Sequence, residues 1–359
     1  MKKQNQGEPR TLMIGLTPPL EGGSETHIYE ISSRIENVTV LTQKNSKCKK
    51  KIGLPILKNP GLIKNLSFFI SATLYSFFLL FSKKKYDVIH IHENLLYILA
   101  PILKIRYKII ITVHGITGFK FYENKFLWFF FKNFLRSADK VISVSLADKE
   151  LLEKEIFSSK IEYIPNGVDI DIYKKIKLSK NEKIISFVGR IHKQKGLEYL
   201  LEAFQEISKR FPEYKLVIFG KNEGSYYKTL SSRYKNKSLI WKGFISDRKT
   251  LFSGISSSEM LVFPSMWEAL PWPALLEGLA SGRPVIASDL PGMRRVFKNN
   301  ENIVLAKPGS SVDLAEKIAQ LINQKSNAKK IGLNGKKISQ EYSWSSISKR
   351  IHKIYKLFS

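Results

Sequence analysis

Cysteine is almost absent. Cys48 is the single one in 359 residues, which excludes an internal disulfide and a cysteine-based zinc site and fits a reducing compartment. Acidic residues are also scarce, with 31 Asp+Glu against 59 Lys+Arg, a formal net charge of +28. No repeat of solenoid period and no compositional bias towards a fibre is present. Met1 to Arg10 is polar, and the first apolar stretch, Leu12 to Leu16, is too short for a signal peptide. What is abundant is core material: 43% hydrophobic and 12% aromatic residues exclude a disordered chain. The length predicts two domains, each large enough to bury its own core. The charge invites three partner classes: nucleic acid, an anionic membrane surface or an anionic substrate.

Half of the positive excess is concentrated. Lys44 to Lys140 holds 18 Lys/Arg and 4 Asp/Glu, whereas residues 251–300 hold 4 of each sign. The same basic segment contains an eighteen-residue uncharged run, Asn65 to Ser82, and an aromatic stretch, Phe119 to Phe134, interleaved with Lys120, Lys125 and Lys132. The run has the length of a membrane span. Its Asn, Ser and Thr residues argue against one, and so does the separation a span would force on two neighbouring strands, Leu12–Leu16 and Val88–His92. Apolar aromatic helices with basic flanks predict a face lying on an anionic membrane, with a core helix as the plainer alternative. Stacking on bases does not need contiguous apolar runs of this length, so nucleic acid is not expected as a partner.

Short β-rich runs alternate with helical patterns throughout. One set of strands is expected at Thr11–Leu16, Val38–Thr42, Val88–His92, Ile109–Val113, Lys140–Val144 and Ile161–Ile164. A second set is expected at Ile184–Val188, Lys215–Phe219, Leu239–Trp241, Met260–Phe263, Pro284–Ala287 and Asn302–Leu305. Continuous rather than alternating hydrophobicity marks strands buried on both faces of parallel sheets. The pattern predicts two doubly wound, Rossmann-like α/β domains facing across a cleft. The first spans 1–166, the second 167–341, with the break at Pro165-Asn166-Gly167. An amphipathic helix over 342–359 is expected to pack back on the first domain.

Ligands of such sheets bind beyond the carboxyl ends of the strands, so the loops there carry the candidate chemistry. Gly22-Gly23 opens a helix after the first strand and offers backbone N–H groups to an anion, although a plain tight turn reads equally well. In the second domain Gly189 ends a strand, and Arg190 and Lys195 sit in the loop before a helix, the makings of a diphosphate clamp. The densest stretch runs from Phe263 to Ser288. It places Glu268 in a strand-end loop and Glu277 about one turn into a helix that Pro273 begins. Such carboxylates can bind sugar and ribose hydroxyls. They could also be a hydrolase acid/base pair, but the neighbouring clamp argues for an activated phosphate ester.

Taken in order, Gly22-Gly23, His114-Gly115, Pro165-Asn166-Gly167, Gly189-Arg190 with Lys195-Gly196, and Pro264-Ser265 with Glu268 and Glu277 resemble glycosyltransferase family 4, retaining enzymes of the GT-B fold. The resemblance spans nearly the whole chain. It implies that Arg190 and Lys195, with Gly189, hold the donor diphosphate; that Glu268 binds the transferred sugar and Glu277 the nucleotide ribose; that His114 faces the donor sugar; and that Gly22 and Gly23 approach the donor phosphate. It implies no metal and no cofactor besides the nucleotide-sugar substrate, and a front-face mechanism in which the departing phosphate helps deprotonate the acceptor. One departure is clear: eight residues separate Glu268 from Glu277, one more than the family's pattern, which puts the extra residue in the 270–274 loop.

The expected activity is metal-independent transfer of a hexose from a nucleoside-diphosphate sugar to a lipid-linked or membrane-associated acceptor, in cell-envelope glycan synthesis on the cytoplasmic face of the membrane. The alternatives are a sugar-nucleotide epimerase of related architecture and a non-enzymatic basic protein that docks on membrane or nucleic acid. Two features mimic metal motifs. His90 and His92 share a strand face with His114 near by, but no acidic or cysteine cluster completes a site. Asp169-Ile170-Asp171 falls in the interdomain connection and reads as surface charge.

Overall fold

A computed structural model describes residues 8–20, 22–57, 62–83, 85–116, 123–175, 183–268 and 270–358. Glu21, Lys84, residues 117–122, most of the 176–183 connection and residue 269 in the loop between the two glutamates lie outside them. The chain divides into two compact units, one formed by the residues up to Asn166 together with those from Trp344 onward, the other running from Gly167 to Ser343.

In the first unit seven parallel strands form one sheet: β1 (Thr11–Ile14), β2 (Val38–Gln43), β3 (Lys51–Leu54), β4 (Val88–Ile91), β5 (Lys108–Val113), β6 (Lys140–Ser143) and β7 (Ile161–Tyr163). Their order is β3-β2-β1-β4-β5-β6-β7. The second unit holds β8 (Ile184–Val188), β9 (Lys215–Phe219), β10 (Leu239–Gly243), β11 (Met260–Phe263), β12 (Val285–Ser288) and β13 (Val304–Ala306), in the order β10-β9-β8-β11-β12-β13. Both are doubly wound α/β sheets, each with an apolar cluster on either face. Every residue of β1, β4 and β11 is buried, which is why their sequences are apolar apart from Thr11 and His90. The sequence pattern misses β3, whose Lys-Ile-Gly-Leu sits at the sheet edge with only Leu54 buried and so carries no burial signature.

In each sheet the winding reverses beside the first strand, at β1/β4 in one and β8/β11 in the other. These are the switch points, where loops leave in opposite directions and a crevice opens at the carboxyl ends.

The eighteen-residue apolar run lies in a twenty-residue helix, Leu62–Phe81. Its inner face, Phe68, Ala72, Ser76 and Leu79, is buried at the spacing of helical turns. Its outer face remains apolar and exposed: Ile63, Leu66, Ile70, Leu74, Phe78 and Phe81. The helix is long and apolar enough to cross a membrane by length and composition, yet it packs into the core of the first sheet. The aromatic helix Lys125–Ser137 repeats the theme. Asn124 caps its start by accepting from the Phe126 and Leu127 amides, each at 3.1 Å. It buries Trp128 and Leu135 and exposes Phe126, Phe129 and Phe130.

The last helix, Trp344–Tyr355, buries Trp344, Ile347, Ile351, Ile354 and Tyr355 among Met13, Ile28, Val40 and Val88. Ile351 is fully buried, so Ile351→Ala should destabilise the first unit by about 2–4 kcal/mol. Exposed Lys353→Ala should change it by less than about 0.5 kcal/mol. Urea unfolding of the two variants checks both.

Candidate functional site

The second unit builds its site at the β8/β11 switch point. After β8 a short 3₁₀ turn, Lys193–Lys195, delivers the chain to the helix Leu197–Arg210. The join is made by Gly196, whose φ of 59° is left-handed. A Cβ there would fall within 2.0 Å of the Pro264 carbonyl oxygen, so no other residue fits the approach of this turn to the loop after β11. That approach brings the two segments into register: the Met266 amide donates to the Gln194 carbonyl at 2.8 Å.

Side chains exploit the contact. Lys195 makes an ion pair with Glu268, and the Ser265 hydroxyl donates to the same carboxylate oxygen at 3.1 Å. The Gln194 amide donates to the Trp267 carbonyl at 3.1 Å and reaches the second Glu268 oxygen at 3.5 Å. The Arg190 guanidinium, exposed, reaches the Gln194 amide oxygen at 3.4 Å. With side-chain exposures of 15% for Lys195 and 7% for Glu268, both ends of the pair are held rather than loose in solvent. One cation fixed and another free beside a helix amino terminus suit a diphosphate.

Pro273 is the first residue of the helix Pro273–Ala280, with Trp272 preceding it as the cap. Glu277 one turn in accepts from Arg248 at 2.9 Å. Burial pushes its carboxyl above the usual range, Arg248 opposes the shift and Asp169 adds to it. Asp169, half-buried, thus acts on Glu277, while Asp171 is exposed. The structure therefore brings together Gly189, Arg190, Lys195 and Glu268, with Glu277 on the next helix. Gln194, Ser265 and Arg248 are additional members. Gln194 and Ser265 stand inside motifs already singled out by sequence. Arg248 lies on a helix of its own, Arg248–Ser257, and has no local signal.

The first unit gathers its polar groups at the carboxyl ends of β1, β4 and β5. Gly22 caps and Gly23 begins the helix Gly23–Ser32, both exposed. No atom would lie within 4 Å of a Cβ at Gly23, whereas one on Gly22 would meet the Glu25 carboxylate, which folds back over the helix end. Four of the six histidines pack together, with ring centroids 4.1 Å apart for His90 and His92, 5.1 Å for His27 and His114, and 5.4 Å for His92 and His114. His90 bonds the Tyr355 hydroxyl at 2.7 Å and the Thr112 hydroxyl at 2.6 Å. His27 bonds the Asn166 amide oxygen at 3.0 Å. His92 Nδ1 and His114 Nε2 lie 3.1 Å apart, a bond that only one proton can occupy.

Burial pushes the four imidazoles below their usual value, His27 to about 4 and the other three well below it, so they are neutral near pH 7. Among the described residues no group of three His, Cys, Asp or Glu side chains is disposed to hold a metal ion. Glu93, which follows His92, accepts from the Leu16 amide at 3.2 Å. Sequence reasoning gave it no role, although its place two residues beyond β4 was a signal.

Two doubly wound α/β units, one with a cation–carboxylate cluster at its switch point, define a two-domain α/β protein whose site chemistry is compatible with an anionic, hydroxyl-bearing ligand. Residues 169–338 match the family of glycosyl transferases group 1, and residues 21–172 match Glycosyltransferase Family 4. The chain belongs to the family 4 glycosyltransferases, of GT-B type. It is similar along its length to an uncharacterized glycosyltransferase of Methanocaldococcus jannaschii, 27% identical over 98% of this chain and 99% of that one. It is also similar to the UDP-Gal:alpha-D-GlcNAc-diphosphoundecaprenol alpha-1,3-galactosyltransferase of Escherichia coli, 28% identical over 68% of this chain and 67% of that one. Its fold matches the crystal structure of Anabaena HepE in complex with UDP, with a TM-score of 0.78 at 18% identity, over 97% of this chain and all of that one.

The histidine cluster sets an acid limit. A folded-state pKa of about 4 for His27, below the ordinary 6.5, means that the unfolded chain binds the proton more readily. Stability from this group is complete above pH 6.5 and is lost as pH falls towards 4. The loss at pH 4 is up to about 3 kcal/mol. His27→Gln, which keeps a polar partner for Asn166, should flatten the decline of the urea midpoint between pH 6.5 and 4; an unaltered slope contradicts the assignment.

Proposed function

We propose that the chain is a metal-independent, retaining hexosyltransferase that moves a sugar from a nucleoside-diphosphate sugar to a lipid-linked acceptor at the cytoplasmic face of a membrane. The observation that carries this reading is the Lys195–Glu268 pair, braced by Ser265 and Gln194 at the β8/β11 switch point with Arg190 beside it. As the bond between the anomeric carbon and the phosphate oxygen breaks, its electron pair leaves on the diphosphate. Arg190, Lys195 and the amino end of the helix Leu197–Arg210 stabilise that charge without reorganising. Glu268 accepts hydrogen bonds from the transferred sugar. Glu277, aligned by Arg248, accepts them from the ribose. Neutral His114, oriented by His92, supplies a polar contact to the donor sugar without a competing positive charge.

The outer faces of the helices Leu62–Phe81 and Lys125–Ser137 support the membrane part. Apolar and aromatic groups exposed beside Lys83, Lys85 and Lys125 complement acyl chains below and anionic headgroups above. That the E. coli relative acts on a diphosphoundecaprenol-linked sugar supports an acceptor of the same class.

Two experiments test the reading. In a thermal-shift panel of UDP-, GDP- and ADP-sugars, one donor should raise the melting temperature of the wild type, and Lys195→Ala and Glu277→Ala should each lose most transfer while melting near the wild type. Wild-type turnover in either variant refutes the site. For the membrane face, Lys83→Glu with Lys85→Glu should weaken binding to anionic vesicles by up to about 1 kcal/mol per charge. Unchanged sedimentation with vesicles at physiological salt overturns that part.

A further inference from the structure

The transfer mechanism leaves one acid of the first unit without a role. Glu93 stands in the loop after β4, at the β1/β4 switch point of its sheet. Oε1 is fixed by the Leu16 amide at the end of β1 and lies 3.7 Å from where a Cβ on Gly15 would be. Among the described residues Oε2 meets no hydrogen-bond partner and no ion pair, in a chain with 59 Lys+Arg. A half-buried carboxylate that forms no ion pair among the described residues, with only the through-space field of Lys64 to offset its burial, carries a desolvation cost that a structural role does not explain. Its position in the fold is informative as well. It occupies the loop after the strand across the switch point, as Glu268 does after β11 in the second unit.

We infer that Glu93 is a specificity-determining residue of the first unit, its Oε2 accepting a hydrogen bond from a hydroxyl group of the acceptor sugar. The inference rests on the transfer reading above and adds to it where the acceptor binds: over the carboxyl ends of β1 and β4, beside the amino end of the helix Gly23–Ser32. A carboxylate with one oxygen pinned to the backbone has a single orientation for the other, which selects an acceptor with a hydroxyl at one position over an analogue lacking it.

Protonation links the contact to pH. Burial pushes the Glu93 carboxyl up to about 7, with Glu25 adding to the shift and the Leu16 amide and Lys64 opposing it. Tyr97 and His92 also face it. Tyr97 is held in its neutral form by burial, with the Glu93 charge adding to the effect, and His92 is neutral. The acceptor-binding carboxylate is therefore present above about pH 7 and is lost below it.

The experiment compares the wild type, Glu93→Gln and Glu93→Asp, using nucleotide sugar and undecaprenyl-diphosphate-linked monosaccharides as acceptors. Glu93→Gln should raise the acceptor KM, or lower kcat/KM for acceptor, by about 10- to 100-fold, with unchanged donor-induced stabilisation. Glu93→Asp should recover part of the loss. In the wild type the acceptor KM should rise as pH falls through 7, and the Gln variant should lack that dependence. A carboxyl raised in the folded state costs stability as pH rises from about 4.5 to 7, so Glu93→Gln should melt no lower than the wild type at pH 8, and lost transfer is then not unfolding. A Gln variant with wild-type acceptor kinetics, or one that loses donor stabilisation, overturns the inference alone. A wild type that transfers to no such acceptor overturns the acceptor class and the inference together.

Discussion

Burial of both faces of a parallel sheet is the constraint from which the rest of this molecule follows. A strand covered on each side by helices cannot carry a charged side chain along its length without a large desolvation cost. β1, β4 and β11 are accordingly closed to solvent from end to end. The exceptions are neutral: Thr11 in β1, and His90 in β4, which lies between the Tyr355 and Thr112 hydroxyls. Chemistry is thereby confined to the strand ends. Of these, the switch points alone have loops diverging to leave room for a ligand. The cation–carboxylate pair of the second unit and the histidines, Glu93 and the Gly22-Gly23 helix start of the first occupy those two places.

The two sites solve opposite electrostatic problems. The second unit holds cations and carboxylates side by side by pairing them. Lys195 neutralises Glu268, Arg248 neutralises Glu277, and Arg190 stays exposed. Each paired carboxylate keeps acceptor capacity, because a carboxylate has about four lone-pair positions and one cation uses only part of them. The first unit instead keeps its histidines uncharged. Its four histidines are kept neutral by burial, and the hydrogen bond between His92 and His114 requires that neutrality, since two imidazolium rings would both present protons. An ordinary imidazole near pH 7 already holds a fraction of positive charge; burial removes it.

Much of this was legible in the sequence. Twelve of the thirteen strands announce themselves as apolar runs, and Arg190, Lys195, Glu268 and Glu277 follow from glycines and prolines that fix turns around them. Gly196 shows why such punctuation is readable: its left-handed backbone and the closeness of the Pro264 carbonyl tie one residue type to one geometry. β3 was illegible because an edge strand with a single buried residue leaves no pattern. The partners were illegible for another reason. Arg248 meets Glu277, and His27 meets Asn166, only because the fold brings together residues 29 and 139 positions apart in the chain. Such contacts are long-range consequences of topology, and no local pattern records them.

The apolar run of Asn65 to Ser82 shows how composition can point in two directions that structure separates by face. As a sum over residues, the helix Leu62–Phe81 has the apolar content of a span. Phe68, Ala72 and Leu79, however, are committed to the sheet, and a helix anchored there between β3 and β4 cannot also be surrounded by lipid. What remains is the opposite face, where Leu74 is 66% and Phe81 is 87% exposed. Water-facing aromatics at that density carry a standing hydrophobic cost, about 25 cal/mol for each Å² left uncovered. The nearby lysines keep such a surface soluble and set the sign of the partner that would cover it. The net charge of +28 thus resolves into unlike components. A few cations gather at the β8/β11 switch point, a basic border frames an apolar face, and other lysines are dispersed over the surface, several in ion pairs such as Lys149–Glu153 and Lys183–Glu213.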